Sequence, residues 1–132
     1  PETQVVLPLL DSDLVTIMCA CADGPLADVP IRWKDGAAVC VVLASGGYPG
    51  HYDKGQEIHG LADAEAMGAL VFHAGTAMKD GKFVTNGGRV LGVVGRGPDI
   101  SSAVDAAYAA AAMISFKDVY YRKDIAHRAL GR

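Results

Sequence analysis

An uninterrupted apolar run, AAVCVVLA at residues 37–44, is the feature that most constrains how this chain can fold. Glycines stand on both sides of the run, at Gly36 and at the pair Gly46 and Gly47. Valine is abundant in it, and branched side chains of this kind favour strands over helices. A short, wholly apolar segment between glycines is also typical of a strand covered on both faces. The run therefore predicts a buried β-strand.

Turn signals elsewhere in the chain predict the strands of the same fold. Asp80 and Gly81 separate two short segments, Thr76–Lys79 and Lys82–Thr85. An Asp-Gly pair between two such segments is a strong hairpin signal, because both residues tolerate the positive φ that the turn needs. Two further strands are predicted, at residues 70–74 and 89–94.

Apolar spacing and capping residues predict three helices. The first covers residues 13–22, with Ser12 as its N-cap and Gly24 as its stop signal. Alanine supplies high helix propensity in the last of the three. The other two helices are predicted at residues 62–68 and at an alanine-rich segment that is capped by Asp99 or Ser101 and ends at Ile114.

The composition fits a single domain with a hydrophobic core. The chain has 132 residues, of which 51% are hydrophobic and 20% are charged. With the order of elements above, this predicts an α+β fold with a mostly antiparallel sheet flanked by helices. A net charge of −3 without a basic stripe argues against nucleic acid as a partner. No apolar run approaches the ~20 residues of a membrane-spanning helix and no signal peptide is visible, so we expect a cytoplasmic protein without a membrane partner.

The three cysteines, Cys19, Cys21 and Cys40, lie among aliphatic residues and are odd in number. This pattern predicts buried, reduced thiols rather than disulfides. A metal site that combines them with histidines is disfavoured, because two cysteines two residues apart on a helix face different directions. The chain also lacks the Gly-x-Ser-x-Gly elbow of serine hydrolases. We therefore assign no catalytic and no metal-ligating residue to it.

The segment SGGYPG at residues 45–50 leaves the predicted buried strand and is a candidate ligand-binding loop. Gly46 and Gly47 permit backbone conformations that bring N–H groups close to a ligand. The segment lacks the Gly-Lys-Ser/Thr ending of a P-loop, and no helix of the dinucleotide-binding type follows it. An ordinary tight turn is the alternative interpretation.

Polar side chains at the two ends of the predicted hairpin form the stronger candidate site. His73 and Thr76 lie at its start, and Asn86, Gly87 and Arg89 follow it. Arg89 carries a planar guanidinium suited to phosphate or carboxylate, and Asn86 and Thr76 can hydrogen-bond hydroxyl groups. His73 can donate a hydrogen bond or transfer a proton. The alternatives are a half-buried structural histidine and an ordinary Asn-Gly-Gly turn.

Five segments stand in a characteristic order along the chain: PETQ at the start, then LASGGYPGHYDKGQEIHGL, VFHAGT, TNGGRVLGV and YRKDI. Together they closely resemble the C-terminal part of the phosphoribosylamine–glycine ligase family, which belongs to the ATP-grasp superfamily. The likeness runs along essentially the whole chain. Two positions depart from the family pattern, namely Gly36 in place of a common arginine and Ala126 in place of a usual glycine.

The resemblance implies a division of the chain at residue 24. Residues 1–24 would be the terminal helix of an ATP-grasp domain, and residues 25–132 the C-terminal domain. PETQ is similar to the end of the family signature RFGDPETQ, so we expect the chain to have been cut from a longer polypeptide. The residues that hold magnesium and ATP in the family lie upstream of that signature. ATP and Mg²⁺ or Mn²⁺ would therefore serve the complete enzyme, and this chain alone would bind none of them and be inactive.

The implied activity is the ATP-dependent joining of glycine to 5-phosphoribosylamine in purine biosynthesis. The implied partners are these two substrates and the upstream N-terminal and ATP-grasp portion of the same enzyme. The alternative is a stand-alone, non-catalytic domain that binds a phosphorylated sugar or a protein partner. The implied substrate contacts are Arg89 as anion clamp, Asn86, Thr76 and His73 around the ribose and amine, and backbone groups of Gly46, Gly47 and Gly87.

Overall fold

A computed structural model describes residues 2–131 of the chain. The first residue of PETQ and the last residue of the expected C-terminal domain lie outside this range. Within it, every helix is too short or too polar to cross a lipid bilayer. The elements are α1 (Thr3–Leu9), α2 (Leu14–Asp23), a 3-10 turn (Leu26–Asp28), β1 (Ala37–Ala44), α3 (Leu61–Ala66), β2 (Leu70–His73), β3 (Thr76–Lys79), β4 (Lys82–Thr85), β5 (Arg89–Gly97), α4 (Ile100–Met113) and α5 (His127–Leu130).

A three-stranded sheet in the order β1-β5-β2 forms the centre of the fold. Strand β5 lies in the middle, so Val93 is paired with Val41 on one side and with Val71 on the other. Strands β3 and β4 form a separate hairpin, with Asp80 and Gly81 at positive φ in its turn. All the strand pairings in the described residues are antiparallel, and the predicted α+β fold class is confirmed.

Helix α4 covers one face of the sheet. Alternate residues of β1, namely Val39, Val41 and Leu43, belong to the core on this side. Gly95 of β5 faces the same helix so closely that a Cβ there would lie 2.5 Å from the carbonyl oxygen of Ala103. The helix is built largely from alanine, and its small side chains let helix and sheet approach at this distance.

Helix α1 lies against the opposite face of the sheet, over β1 and β5. Its Gln4 reaches Gly92, with the Gln4 Cγ 4.0 Å from the place that a Cβ of Gly92 would take. Cys40 and Val42 point to this face because they alternate with the core residues of β1. The local sequence pattern does not predict α1, since the helix is short and contains Pro8, which interrupts a helical pattern. The resemblance implies one helix over residues 1–24, and the structure has two there, α1 and α2.

Most of the predicted elements are confirmed, and the differences have local causes. Strands β1, β3 and β4 have the predicted bounds, and β2 ends one residue earlier than predicted. Strand β5 continues past residue 94 because it pairs with β1 along its length, as far as Ala37 opposite Gly97. Of the two caps considered for α4, Asp99 is the one used, and its carboxylate accepts a 2.7 Å hydrogen bond from the Ser102 N–H.

The predicted N-cap of α2 is wrong by one residue. Asp13 caps this helix, because its carboxylate accepts a 2.7 Å hydrogen bond from the Thr16 N–H, and this bond lowers the pKa of Asp13. Ser12 instead joins two loops: its hydroxyl donates to the Pro30 carbonyl and accepts from the Arg32 N–H. A carboxylate also gains from the positive end of the helix dipole, which a hydroxyl does not.

The prediction of buried thiols is confirmed for Cys40 and wrong for Cys19 and Cys21, which are exposed on α2. The apolar stripe that predicted their burial is real, but α2 buries none of its residues within the described chain. Val15 and Met18 on the same helix are 65% and 60% exposed. An apolar pattern predicts that one face of a helix is buried, but it does not identify the surface that covers this face.

The left-handed conformation of Ala126 predicts a stabilising substitution. Ala126 has φ 64° and ψ 5°, a region in which a Cβ is unfavourable and glycine is not. We expect Ala126→Gly to raise the free energy of unfolding by about 1 kcal/mol, measured by urea denaturation. The matched control is Ala109→Gly at an exposed position of α4, which is expected to lower it by about 1 kcal/mol. Equal losses in both variants would contradict the prediction.

Candidate functional site

A cavity of about 550 Å³ opens on the face of the sheet that α1 partly covers. Its floor comes from β1, β5 and β2, through Val42, Gly92 and Phe72, which are paired side by side across the three strands. Gly92 has no side chain, and the Cys40 sulfur and the Gln4 Cγ lie 3.2 and 4.0 Å from the position that its Cβ would take. Around the floor stand Gln4 of α1 together with Tyr48, His73, Gly75, Gly88 and Arg89.

Arg89 places a positive charge at this cavity. It is the first residue of β5, it directly follows the turn at Gly87 and Gly88, and it is exposed. None of the ion pairs among residues 2–131 includes Arg89. A guanidinium without a carboxylate partner, at the edge of a cavity, is suited to bind an anion through its parallel N–H donors.

His73 and Thr76, both predicted site residues, are in contact. His73 Nδ1 lies 3.0 Å from Thr76 Oγ1, and the imidazole ring packs on Phe83 with the ring centroids 4.5 Å apart. These two contacts fix the orientation of the imidazole within the protein. His73 lines the cavity and Thr76 does not, so the structure gives Thr76 a supporting position.

Asn86 and Gly87 lie next to the cavity, and neither is among the residues that line it. The Asn86 N–H donates a 2.7 Å hydrogen bond to the carbonyl of Gly75. Gly87 packs so closely on Gly75 that a Cβ on Gly75 would lie 2.7 Å from the Gly87 Cα. Gly88, the next residue, does line the cavity. The turn therefore positions Arg89 through backbone contacts.

The structure does not bring Gly46 and Gly47 to the cavity. A Cβ on Gly46 would lie 2.6 Å from the Cβ of Asp118, and Gly47 has φ 93° and faces the carbonyl of His51. The packing of their own turn accounts for both glycines, and the approach of their backbone to a ligand stays a prediction. The residue that this turn brings to the cavity is Tyr48.

Ser45 joins the two glycine turns. It is only 4% exposed, its N–H donates to the Gly88 carbonyl and its hydroxyl donates to the Gly87 carbonyl, both at 2.8 Å. Buried polar groups are costly unless paired, so these bonds hold the two turns in one arrangement. The turn before Tyr48 is thereby fixed against the turn before Arg89.

Several cavity residues are not predicted by the sequence. Tyr48 lies in the candidate loop SGGYPG, which the sequence singles out for its glycines. The local signal for Tyr48 itself is an aromatic residue between glycine and proline. Phe72 and Gly92 become neighbours only through the strand register, which single strands do not reveal. Gln4 carries no local signal, because α1 reaches the cavity by packing across the sheet.

The cavity combines the exposed guanidinium of Arg89 with an apolar floor. Burial raises the pKa of the Cys40 thiol, which also lines the cavity, so this thiol is neutral at neutral pH. Residues 2–131 contain no group of three His, Cys, Asp or Glu side chains arranged to hold a metal ion. Such a cavity fits a ligand that joins an anionic group to a ring-sized body.

A family model described as phosphoribosylglycinamide synthetase, C domain, matches residues 38–128, which include most of the cavity. The chain belongs to this family. The family resemblance that the five segments indicate is therefore confirmed.

Proteins that contain such a C domain are much longer than this chain. It is 55% identical over 131 residues to the phosphoribosylamine–glycine ligase of Synechocystis sp., covering 98% of this chain and 31% of that protein. It is 54% identical over 131 residues to the trifunctional purine biosynthetic protein adenosine-3 of Gallus gallus, covering 98% of this chain and 13% of that protein. A crystal structure of phosphoribosylamine–glycine ligase from Thermotoga maritima aligns with a TM-score of 0.78 at 39% identity, covering 95% of this chain and 30% of that one. The chain thus spans about a third of the length of the ligases that it matches.

Proposed function

We propose that this chain is the C-terminal portion of a ligase that joins glycine to 5-phosphoribosylamine with ATP, in purine biosynthesis. In that reaction ATP converts the glycine carboxylate to an acyl phosphate, and the amine of 5-phosphoribosylamine displaces the phosphate to give glycinamide ribonucleotide, ADP and phosphate. The names of the relatives support this activity. So does the observation that carries the proposal: Arg89, without an ion-pair partner among the described residues, shares a cavity with Gln4 of the leading helix.

The role proposed for this cavity is to bind the phosphorylated sugar. The Arg89 guanidinium binds the phosphate, and the His73 imidazole, held by Thr76, offers a hydrogen bond to the ribose or the amine. The exposed Asn86 lies beside the rim, and Gly87 gives the turn its close backbone packing. In the proposal, Gly46 and Gly47 act by forming the turn that carries Tyr48.

ATP and the divalent ion, Mg²⁺ or Mn²⁺, are assigned to the upstream portion of the enzyme. The described residues do not fit a metal ion, since they form no cluster of ligating side chains, and no step is derived from them through one. We assign residues 1–24 to the end of the ATP-grasp domain. Helix α2 exposes its apolar residues as an element does when its partner lies elsewhere, whereas α1 packs on the sheet of the C-terminal domain. The whole enzyme is placed in the cytoplasm.

Replacing Arg89 in the complete ligase tests the role of the cavity. We expect Arg89→Ala to lower kcat/KM for 5-phosphoribosylamine about 10- to 150-fold. This corresponds to a loss of about 1.5–3 kcal/mol in transition-state stabilisation, as for a lost hydrogen bond to a charged group. The KM values for glycine and ATP are expected to stay unchanged. Arg122→Ala, which removes an exposed arginine paired with Asp124 on the tail, is the matched control and should leave all three values unchanged. Unchanged use of 5-phosphoribosylamine by Arg89→Ala would remove Arg89 from the site.

A further inference from the structure

We propose that Tyr48 is a specificity-determining residue of this cavity, and that its ring is the wall that recognises the sugar ring of the phosphorylated ligand. This inference rests on the function proposed above. It adds a second recognition element to the Arg89 guanidinium, which would bind any phosphate monoester. The cavity would then distinguish a ring-bearing phosphate from one without a ring.

Tyr48 is held in place by the protein although it is 41% exposed. Its N–H donates a 3.1 Å hydrogen bond to the Ser45 carbonyl. Its ring packs directly on Gly88, where any Cβ would overlap the ring atoms, and it meets the ring of Tyr52 edge-on at 6.2 Å between centroids. An exposed aromatic ring that packs on two neighbours has less rotamer freedom to lose when a ligand binds, which is favourable for binding.

The separation between Tyr48 and Arg89 is also set by the protein. Ser45 bonds to the carbonyls of Gly87 and Gly88, the two residues immediately before Arg89. The aromatic wall and the cation therefore keep one geometry through a buried serine that is itself fully engaged. A preorganised pair of this kind can select ligands by the spacing of their anion and their ring.

The floor beside Tyr48 is apolar. Val42 and Phe72 flank Gly92 in adjacent strands. A Cβ on Gly92 would lie 3.2 Å from the Cys40 sulfur and 4.0 Å from both the Gln4 Cγ and the Phe72 Cβ, so these side chains close over the position above Gly92. The apolar C–H face of a furanose ring can pack on such a floor, whereas a bare phosphate gains nothing from it.

The test compares two phosphate monoesters, ribose 5-phosphate and glycerol 3-phosphate, by calorimetry on the complete ligase with ADP present to fill the nucleotide site. We expect Tyr48→Ala to weaken ribose 5-phosphate about tenfold and to leave glycerol 3-phosphate unchanged, since only the former has a ring. Tyr48→Phe keeps the ring and should retain the affinity. Tyr120→Ala is the matched control, because Tyr120 is 60% exposed and lies outside this cavity.

Two further variants separate the role of Tyr48 from the function proposed for the whole cavity. Gly92→Ala adds a methyl group to the floor between Val42 and Phe72 and should weaken ribose 5-phosphate alone, so it tests the same idea if Tyr48→Ala does not fold. Arg89→Ala should weaken both ligands. If Arg89→Ala changes neither ligand, the function proposed for the cavity is wrong. If Arg89→Ala weakens both ligands while Tyr48→Ala changes neither, or changes both equally, only the role of Tyr48 is overturned.

Discussion

The chain mixed with the upstream portion of the same ligase is expected to form ADP in a reaction that needs both glycine and 5-phosphoribosylamine, whereas either part alone forms none above background. In the proposed function, the chain contributes the sugar-phosphate cavity, and the upstream portion contributes the sites for ATP and the divalent ion. Under that proposal each part lacks groups that the other supplies, so the expected effect on activity is all-or-none. A coupled assay of ADP release measures it.

Association of the two parts is expected because α2 exposes apolar side chains that isolated domains normally cover. Val15 and Met18 are 65% and 60% exposed, and Trp33, in the segment after α2, is 56% exposed. Burial of such surface contributes about 25 cal/mol per Å². The preceding helix, α1, carries Gln4 into the cavity.

Met18→Asp is expected to prevent the recovery of activity, because it places a charge in the surface to be buried. Met113→Asp, at the end of α4 and 45% exposed, is the matched control and should permit recovery. Thiol labelling gives an independent measure: Cys19 and Cys21 should react in the chain alone and be protected in the mixture. Binding of ribose 5-phosphate by the chain without ADP formation or protection in the mixture would instead support a stand-alone binding domain.

The parts of the fold that the sequence predicts well are those whose causes lie within a few residues. The limits of β1 follow from its flanking glycines, the hairpin from Asp80 and Gly81, and the start of α4 from Asp99. Helix α1 depends instead on packing across a sheet that its own residues do not describe. The exposure of α2 has the same origin, since its apolar stripe says nothing about where the covering surface lies.

The residues of the candidate site show the same difference between local causes and tertiary packing. Arg89 and His73 are predicted because a guanidinium and an imidazole beside glycine turns are chemical signals in themselves, and the structure places both at the cavity. Gly46 and Gly47 are predicted from composition, which does not reveal that Gly46 packs on Asp118 and Gly47 on His51. The floor at Gly92 depends on which strands are neighbours, and the position of Tyr48 depends on how its turn packs on Gly88. Only the three-dimensional fold supplies that information.

Replacing Gly95 with alanine is expected to lower the free energy of unfolding by about 3 kcal/mol, at the upper end of the usual effect of overpacking a core. A Cβ at this position would lie 2.5 Å from the Ala103 carbonyl oxygen and would overlap the backbone nitrogen of Ala107. Both atoms belong to the backbone of α4, so no side-chain rotation can relieve the overlap. The whole helix would have to move away from the sheet.

Gly24→Ala is the matched control, because Gly24 has extended backbone and no atom within 4 Å of an added Cβ. Urea denaturation should place its midpoint close to that of the unchanged chain, and the midpoint of Gly95→Ala far below. Strand β5 also carries Gly92 and Arg89, so displacement of α4 that shifts this strand should weaken ribose 5-phosphate binding as well. Equal midpoints for the two variants would mean that α4 does not press on the sheet at Gly95, and the close helix–sheet contact that fixes the back of the cavity floor would be wrong.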